Sequence, residues 1–132
     1  LTGLTRNTES NQIVRAVIES TAYQSYDLFS AMKKDGLKPK IIKIDGGMVK
    51  NNWFSQFLSD VLNLKVYRAQ VDETTALGAA IMAGLRIGVY KSLNHASKNW
   101  RVDRIFKPKI KDQARKELIS GWLRAIRKTL IN

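Results

Sequence analysis

Residues 41–52 read IIKIDGGMVKNN. Three isoleucines within Ile41–Ile44, preceded by Pro39 and followed by Gly46-Gly47, predict a short buried strand. Asp45-Gly46-Gly47 reads as a sharp turn. Beyond it, Phe54, Phe57, Leu58, Val61 and Leu62 share one side of a helix over about 50–62, with Asn63 as C-cap. A strand that ends in paired glycines and feeds a helix lets a ligand approach bare backbone, because glycine has no Cβ. The helix start beyond it offers unpaired N–H groups suited to an anion. Asn51 can donate and accept hydrogen bonds toward a base or ribose. A Gly-Gly connector with no ligand fits the same pattern. Neither the Gly-x-Gly-x-x-Gly spacing of a dinucleotide site nor the Gly-Lys-Ser/Thr end of a P-loop is present.

The neighbouring segments extend this reading in both directions. Residues 8–34 predict a helix with Thr8 as N-cap, Glu9 in its first turn and Gly36 as stop. Its apolar stripe is Val14, Val17, Ile18, Thr21, Leu28 and Met32. Lys65–Arg68 reads as a second strand. Asp72 and Glu73 open a third helix over about 73–88, their side chains capping its first turn. Ala76, Gly78, Ala79, Ala80, Ala83 and Gly84 make that helix small-sided, so burial against another backbone is expected. Residues 91–110 read as irregular, anchored by Trp100 and Phe106. A final helix over about 112–130 carries Leu118, Trp122, Ile126 and Leu130 at four-residue steps. Strands alternating with helices predict an α/β layer with parallel strands. Two strands are too few for a stable sheet, so further strands upstream are expected.

Composition narrows the chemistry. The chain has 132 residues, no cysteine and one histidine, His95. Thiol catalysis, disulfide scaffolds and multi-His metal sites are thereby excluded. No apolar run reaches the roughly 18 residues needed to span a bilayer, and no signal peptide opens the sequence; a cytoplasmic location is expected. Net charge is +12, with +10 of it in residues 86–132. That basic third makes a nucleic-acid- or membrane-surface-binding module one alternative, although a charge run is more often a solvated face. No nucleophile–base pair is evident. His95 reads as a surface residue, and Trp53, Trp100 and Trp122 read as core. Asp45, at the strand end, fits either a ligand role or a carboxylate bonding its own turn.

The stretch Lys43–Tyr90, KIDGGMVKNNWFSQFLSDVLNLKVYRAQVDETTALGAAIMAGLRIGVY, resembles the C-terminal domain of the FGGY carbohydrate kinases. Leu1-Thr2-Gly3-Leu4, Gln12 through Glu19, and Ala22-Tyr23-Gln24 with Asp27 fit the second signature of that family. Trp100, Phe106-Lys107-Pro108 and Gly121-Trp122 resemble its C-terminal end. Gly46-Gly47-x-x-x-Asn51-Asn52 and Glu73-Thr74-Thr75-Ala76-Leu77-Gly78-Ala79-Ala80 favour the glycerol-phosphorylating branch, with another sugar kinase of the family as alternative. The resemblance implies part of a ribonuclease-H-like, actin-like ATPase domain, with few strands and four main helices, occupying residues 1–132. It implies transfer of the γ-phosphoryl of ATP to glycerol in a homo-oligomeric enzyme. ATP/ADP binding falls to Gly46, Gly47 and Asn51; Asp45 is not implied to be catalytic. Magnesium, glycerol and the catalytic groups are implied to be held mainly by an N-terminal domain outside this sequence. No catalytic or metal-binding residue, and no nucleic-acid partner, is assigned within the chain, which is therefore expected to be inactive alone.

Overall fold

The protein is described by a computed structural model covering residues 1–130, the side chain of Asn99 excepted. Helix α1 spans Ser10–Lys34, strand β1 Ile41–Ile44, helix α2 Asn52–Leu62, strand β2 Lys65–Ala69 and helix α3 Thr74–Arg86. A single-turn helix α4 (Leu93–Ala96), strand β3 (Val102–Phe106) and helix α5 (Asp112–Leu130) complete the order. The expected α/β class, with four main helices, holds.

The sheet has the order β1-β2-β3. The β1–β2 pair is parallel, as anticipated, with Ile42 opposite Val66 and Ile44 opposite Arg68. Within residues 91–110, which the sequence predicts as irregular, β3 instead pairs antiparallel with β2, Phe106 lying opposite Val66. Asp103 and Arg104 interrupt its apolar pattern. They are tolerated because every residue of β3 before Phe106 is exposed. Strand β1 was expected to be buried, yet it forms one edge of this sheet and alternates between exposed and half-buried residues.

The core lies between α2 and one sheet face, with α1 and α5 laid over α2. Ala22, Tyr23, Phe54, Phe57, Leu58, Val61, Leu62, Val66 and Phe106 form its buried centre. Eight of the eleven residues of α2 are buried. An aromatic chain ties three helices together: Trp53 stacks on Phe57 at 5.0 Å, Phe57 meets Tyr23 edge-on at 5.6 Å, and Tyr23 stacks on Trp122 at 5.4 Å. The indole N–H of Trp122 donates to Asp27 Oδ2 at 2.7 Å, so the ring is fixed at both ends. Trp53 is not core: it is 41% exposed, with the Arg15 guanidinium over its ring.

Three further expectations are corrected. Helix α1 begins after Glu9, whose N–H donates to Gln12 Oε1, while Thr8 Oγ1 accepts from the N–H of Thr5. The stripe of Val14, Val17 and Leu28 faces solvent; α1 buries Ala22 and Tyr23 instead, with Ile18, Tyr26 and Phe29 beside them. Helix α3, expected to be buried, has only Gly84 buried among its thirteen residues. Among the described residues its principal neighbouring element is the short α4, and most of its residues are exposed or half-buried.

Candidate nucleotide-contact turn

The turn between β1 and α2 is built from backbone. Gly46 adopts φ +92°, a left-handed conformation that a side chain disfavours. Gly47 is helical, at φ −63° and ψ −42°. A Cβ built on either glycine meets no heavy atom within 4 Å, so both border open space. A single 3₁₀ turn, Met48–Lys50, then leads into α2. Val49 anchors it by burying its side chain in the core.

Asn51 sits at the end of this turn as the N-cap of α2. Its Oδ1 accepts from the N–H groups of Trp53 at 2.9 Å and Phe54 at 3.3 Å. Such a cap contributes about 1 kcal/mol. It occupies the amide oxygen and leaves the Nδ2 donors without a partner among the described residues. Half-buried Gly46 and exposed Gly47 and Asn51 are thus held in one turn. Asp45 lies beside them, exposed and without a hydrogen bond among the described residues, so it does not bond its own turn.

Two groups that the sequence reading missed fix the turn from below. Ser55 Oγ, fully buried, donates to the carbonyl of Val49 at 2.9 Å. Arg68 Nη1 donates to the carbonyls of Val49 at 2.9 Å and Lys50 at 3.3 Å, and to Asn52 Oδ1 at 3.0 Å. Its Nε and Nη2 both reach Asp103 Oδ2 at 2.6 Å. No motif marks Arg68, because its role depends on β2 running parallel beside β1. Lys50 pairs with Asp72 Oδ2 at 2.6 Å. The hydrogen bond to Asp72 raises the Lys50 pKa. This pairing corrects the capping role expected of Asp72; α3 starts without a side-chain cap. The groups around Lys50, Arg68, Gln70, Asp72 and Asp103 line a shallow cavity of about 230 Å³.

Other candidate residues lie away from the turn. His95 is exposed, its Nδ1 accepting from the N–H of Lys91 at 3.4 Å. Buried Asp60 is structural: its Oδ1 accepts from the N–H of Lys109 at 2.6 Å and from Gln56 Nε2 at 3.1 Å. Among the described residues no three His, Cys, Asp or Glu side chains converge where they could hold a metal ion. No described helix is long and apolar enough to cross a membrane.

Comparison with known proteins places this architecture. The profile of the FGGY family of carbohydrate kinases, C-terminal domain, matches residues 1–87. A glycerol kinase of Gluconobacter oxydans is 48% identical over 129 residues, which are 97% of this chain and 25% of that protein. A glycerol kinase of Clostridium botulinum is 46% identical over the same share of the chain and 26% of its own length. Among solved structures, Plasmodium falciparum glycerol kinase with ADP superposes with a TM-score of 0.84 at 39% identity, covering 98% of this chain and 26% of that one. Xylulose kinase from Lactobacillus acidophilus superposes with a TM-score of 0.80 at 25% identity. The chain thus spans about a quarter of the length of the relatives it matches, and its three-stranded sheet and helices correspond to the C-terminal part of their actin-like ATPase fold. On the profile match and the identity to these relatives, the chain belongs to the FGGY family of carbohydrate kinases.

Proposed function

We propose that this chain forms one wall of the adenine-nucleotide site of a glycerol kinase, which transfers the γ-phosphoryl of ATP to glycerol and yields sn-glycerol 3-phosphate. The observation that carries the reading is the open Gly46–Gly47 turn, where neither glycine has a heavy atom within 4 Å of a would-be Cβ. A flat nucleoside rests there against main chain, and the Nδ2 donors of Asn51 reach it while Oδ1 holds the helix cap. The ADP of the Plasmodium falciparum relative and the glycerol kinase identity of the sequence relatives supply the ligand and the acceptor.

The chain's share of the work is binding and orientation. Phosphoryl transfer depends on aligning the γ-phosphate, a metal ion and the acceptor hydroxyl. In this proposal the groups that hold magnesium and the acceptor lie mainly outside residues 1–132, so the chain contributes nucleotide binding and needs the rest of the kinase for turnover.

The test is a chimera in which this chain replaces the matching 129 residues of the Gluconobacter oxydans glycerol kinase. Gly47→Leu fits the helical φ and ψ of that position and fills only open space. It is expected to raise the KM for ATP on the order of tenfold or more, with the KM for glycerol unchanged. Asn51→Asp keeps the capping oxygen and removes the donors, and it should raise the KM for ATP in the same direction. An ATP KM unchanged in both variants overturns the assignment.

A further inference from the structure

We infer that Arg68, held by Asp103, is a positioning residue for the nucleotide. It acts through the Gly46–Asn52 turn without touching the nucleotide. The inference rests on the site reading above and adds a residue that the site's own sequence does not contain.

The turn needs an external brace. Gly46 and Gly47 carry no side chains, and Gly46 sits at positive φ, so neither can anchor the loop by packing. The glycines therefore rely on their neighbours, namely the buried Val49 side chain and the groups that hold the carbonyls of Val49 and Lys50. The two N–H groups of Arg68 Nη1 reach three acceptors of residues 49–52, one of the bonds being shared. A planar guanidinium can do this while its other edge binds a carboxylate; an ammonium cannot match that fork. The Arg68 side chain is only 14% exposed, so these bonds are partly shielded from water. The pairing with Asp103 is charge-assisted and short at 2.6 Å.

A bulge supplies the second half of the device. Arg68 lies opposite Arg104, and the register then slips so that Ala69 pairs with Val102. Asp103 is the extra residue. In an unbroken strand it would project to the face opposite Arg104 and Arg68. The bulge brings its carboxylate to the Arg68 guanidinium, beside the facing pair Arg68 and Arg104, whose like charges it offsets. β3 thus reaches the nucleotide turn through a two-residue relay, Asp103 to Arg68.

The same chimeric kinase tests this. Arg68→Met keeps the length and removes the donors. It is expected to raise the KM for ATP on the order of tenfold, as displacement of a positioning loop does, with the KM for glycerol within about twofold. Arg68→Lys should recover part of that loss. Asp103→Asn alters an exposed side chain without emptying the core, and it should move the ATP KM in the same direction by about threefold, the loss of a charge-assisted bond half retained. A selective rise in the ATP KM in Arg68→Met and Asp103→Asn supports the relay. If Gly47→Leu raises the ATP KM while Arg68→Met and Asp103→Asn shift both KM values equally, or lower only the melting temperature, the site stands and Arg68 is merely structural. If neither Gly47→Leu nor Asn51→Asp changes the ATP KM, the site reading falls and the relay with it. If Arg68→Met does not fold, Asp103→Asn decides alone: an unchanged ATP KM overturns the relay.

Discussion

Helices α2 and α3 are of similar length and both rich in apolar residues, yet they end in opposite environments. α2 buries eight of eleven residues, whereas α3 buries one of thirteen. The difference is the partner. α2 lies between the sheet and α1, with Phe54, Phe57, Leu58, Val61 and Leu62 all within the core. α3 follows the last parallel strand, and its main neighbour is a single-turn helix. Only Gly84 is closely covered, because the Tyr90 ring would sit 2.8 Å from a Cβ there. Apolar composition therefore states a capacity for burial, and the neighbours determine whether it is used.

Truncating the packed helix tests the contrast most severely. Leu58→Ala, at a side chain 4% exposed, is expected to destabilise the chain by about 2–5 kcal/mol in denaturant unfolding. A loss below about 1 kcal/mol would show that α2 is not the packing centre. A smaller effect comes from alkaline titration of the packed layer. Burial pushes the Tyr23 hydroxyl up to about 12 from 10.0, with the Glu19 charge adding to it. The folded state thus keeps a proton that the unfolded chain releases near pH 10, so stability falls between about pH 10 and 12. Tyr23→Phe should flatten that part of the profile, read as melting temperature against pH, and an identical slope in both chains would count against it. Smallest of all is Met82→Ala on α3. The side chain is 63% exposed, so its loss should change stability by less than about 0.5 kcal/mol. A larger loss would mean that α3 is packed in solution.

Periodicity located the elements better than it located their faces. The positions of β1, α2, β2 and α5 follow from the isoleucine run, Asn63 as C-cap and four-residue apolar steps, whereas the N-cap role of Asn51 emerges only from the structure. In α1, two apolar stripes compete. Val14, Val17 and Leu28 satisfy the same spacing as Ile18, Ala22 and Phe29, and the fit of Tyr23 between Phe57 and Trp122 selects the second. β3 was illegible because an exposed edge strand needs no alternation, and Asp103 and Arg104 read as loop. The open glycines of the turn were legible as a local pattern. Arg68 was not, since nothing within residues 65–69 shows that a guanidinium will meet carbonyls 18 and 19 positions earlier.

Local chemistry along the chain was enough to establish the α/β class, the glycine turn and the helix that follows it. Those features depend on backbone freedom and hydrogen bonds within a few residues. Which helix face is buried, whether α3 is covered, and how Asp103 and Arg68 brace the turn were settled by packing, because each requires groups far apart in sequence to share one small volume.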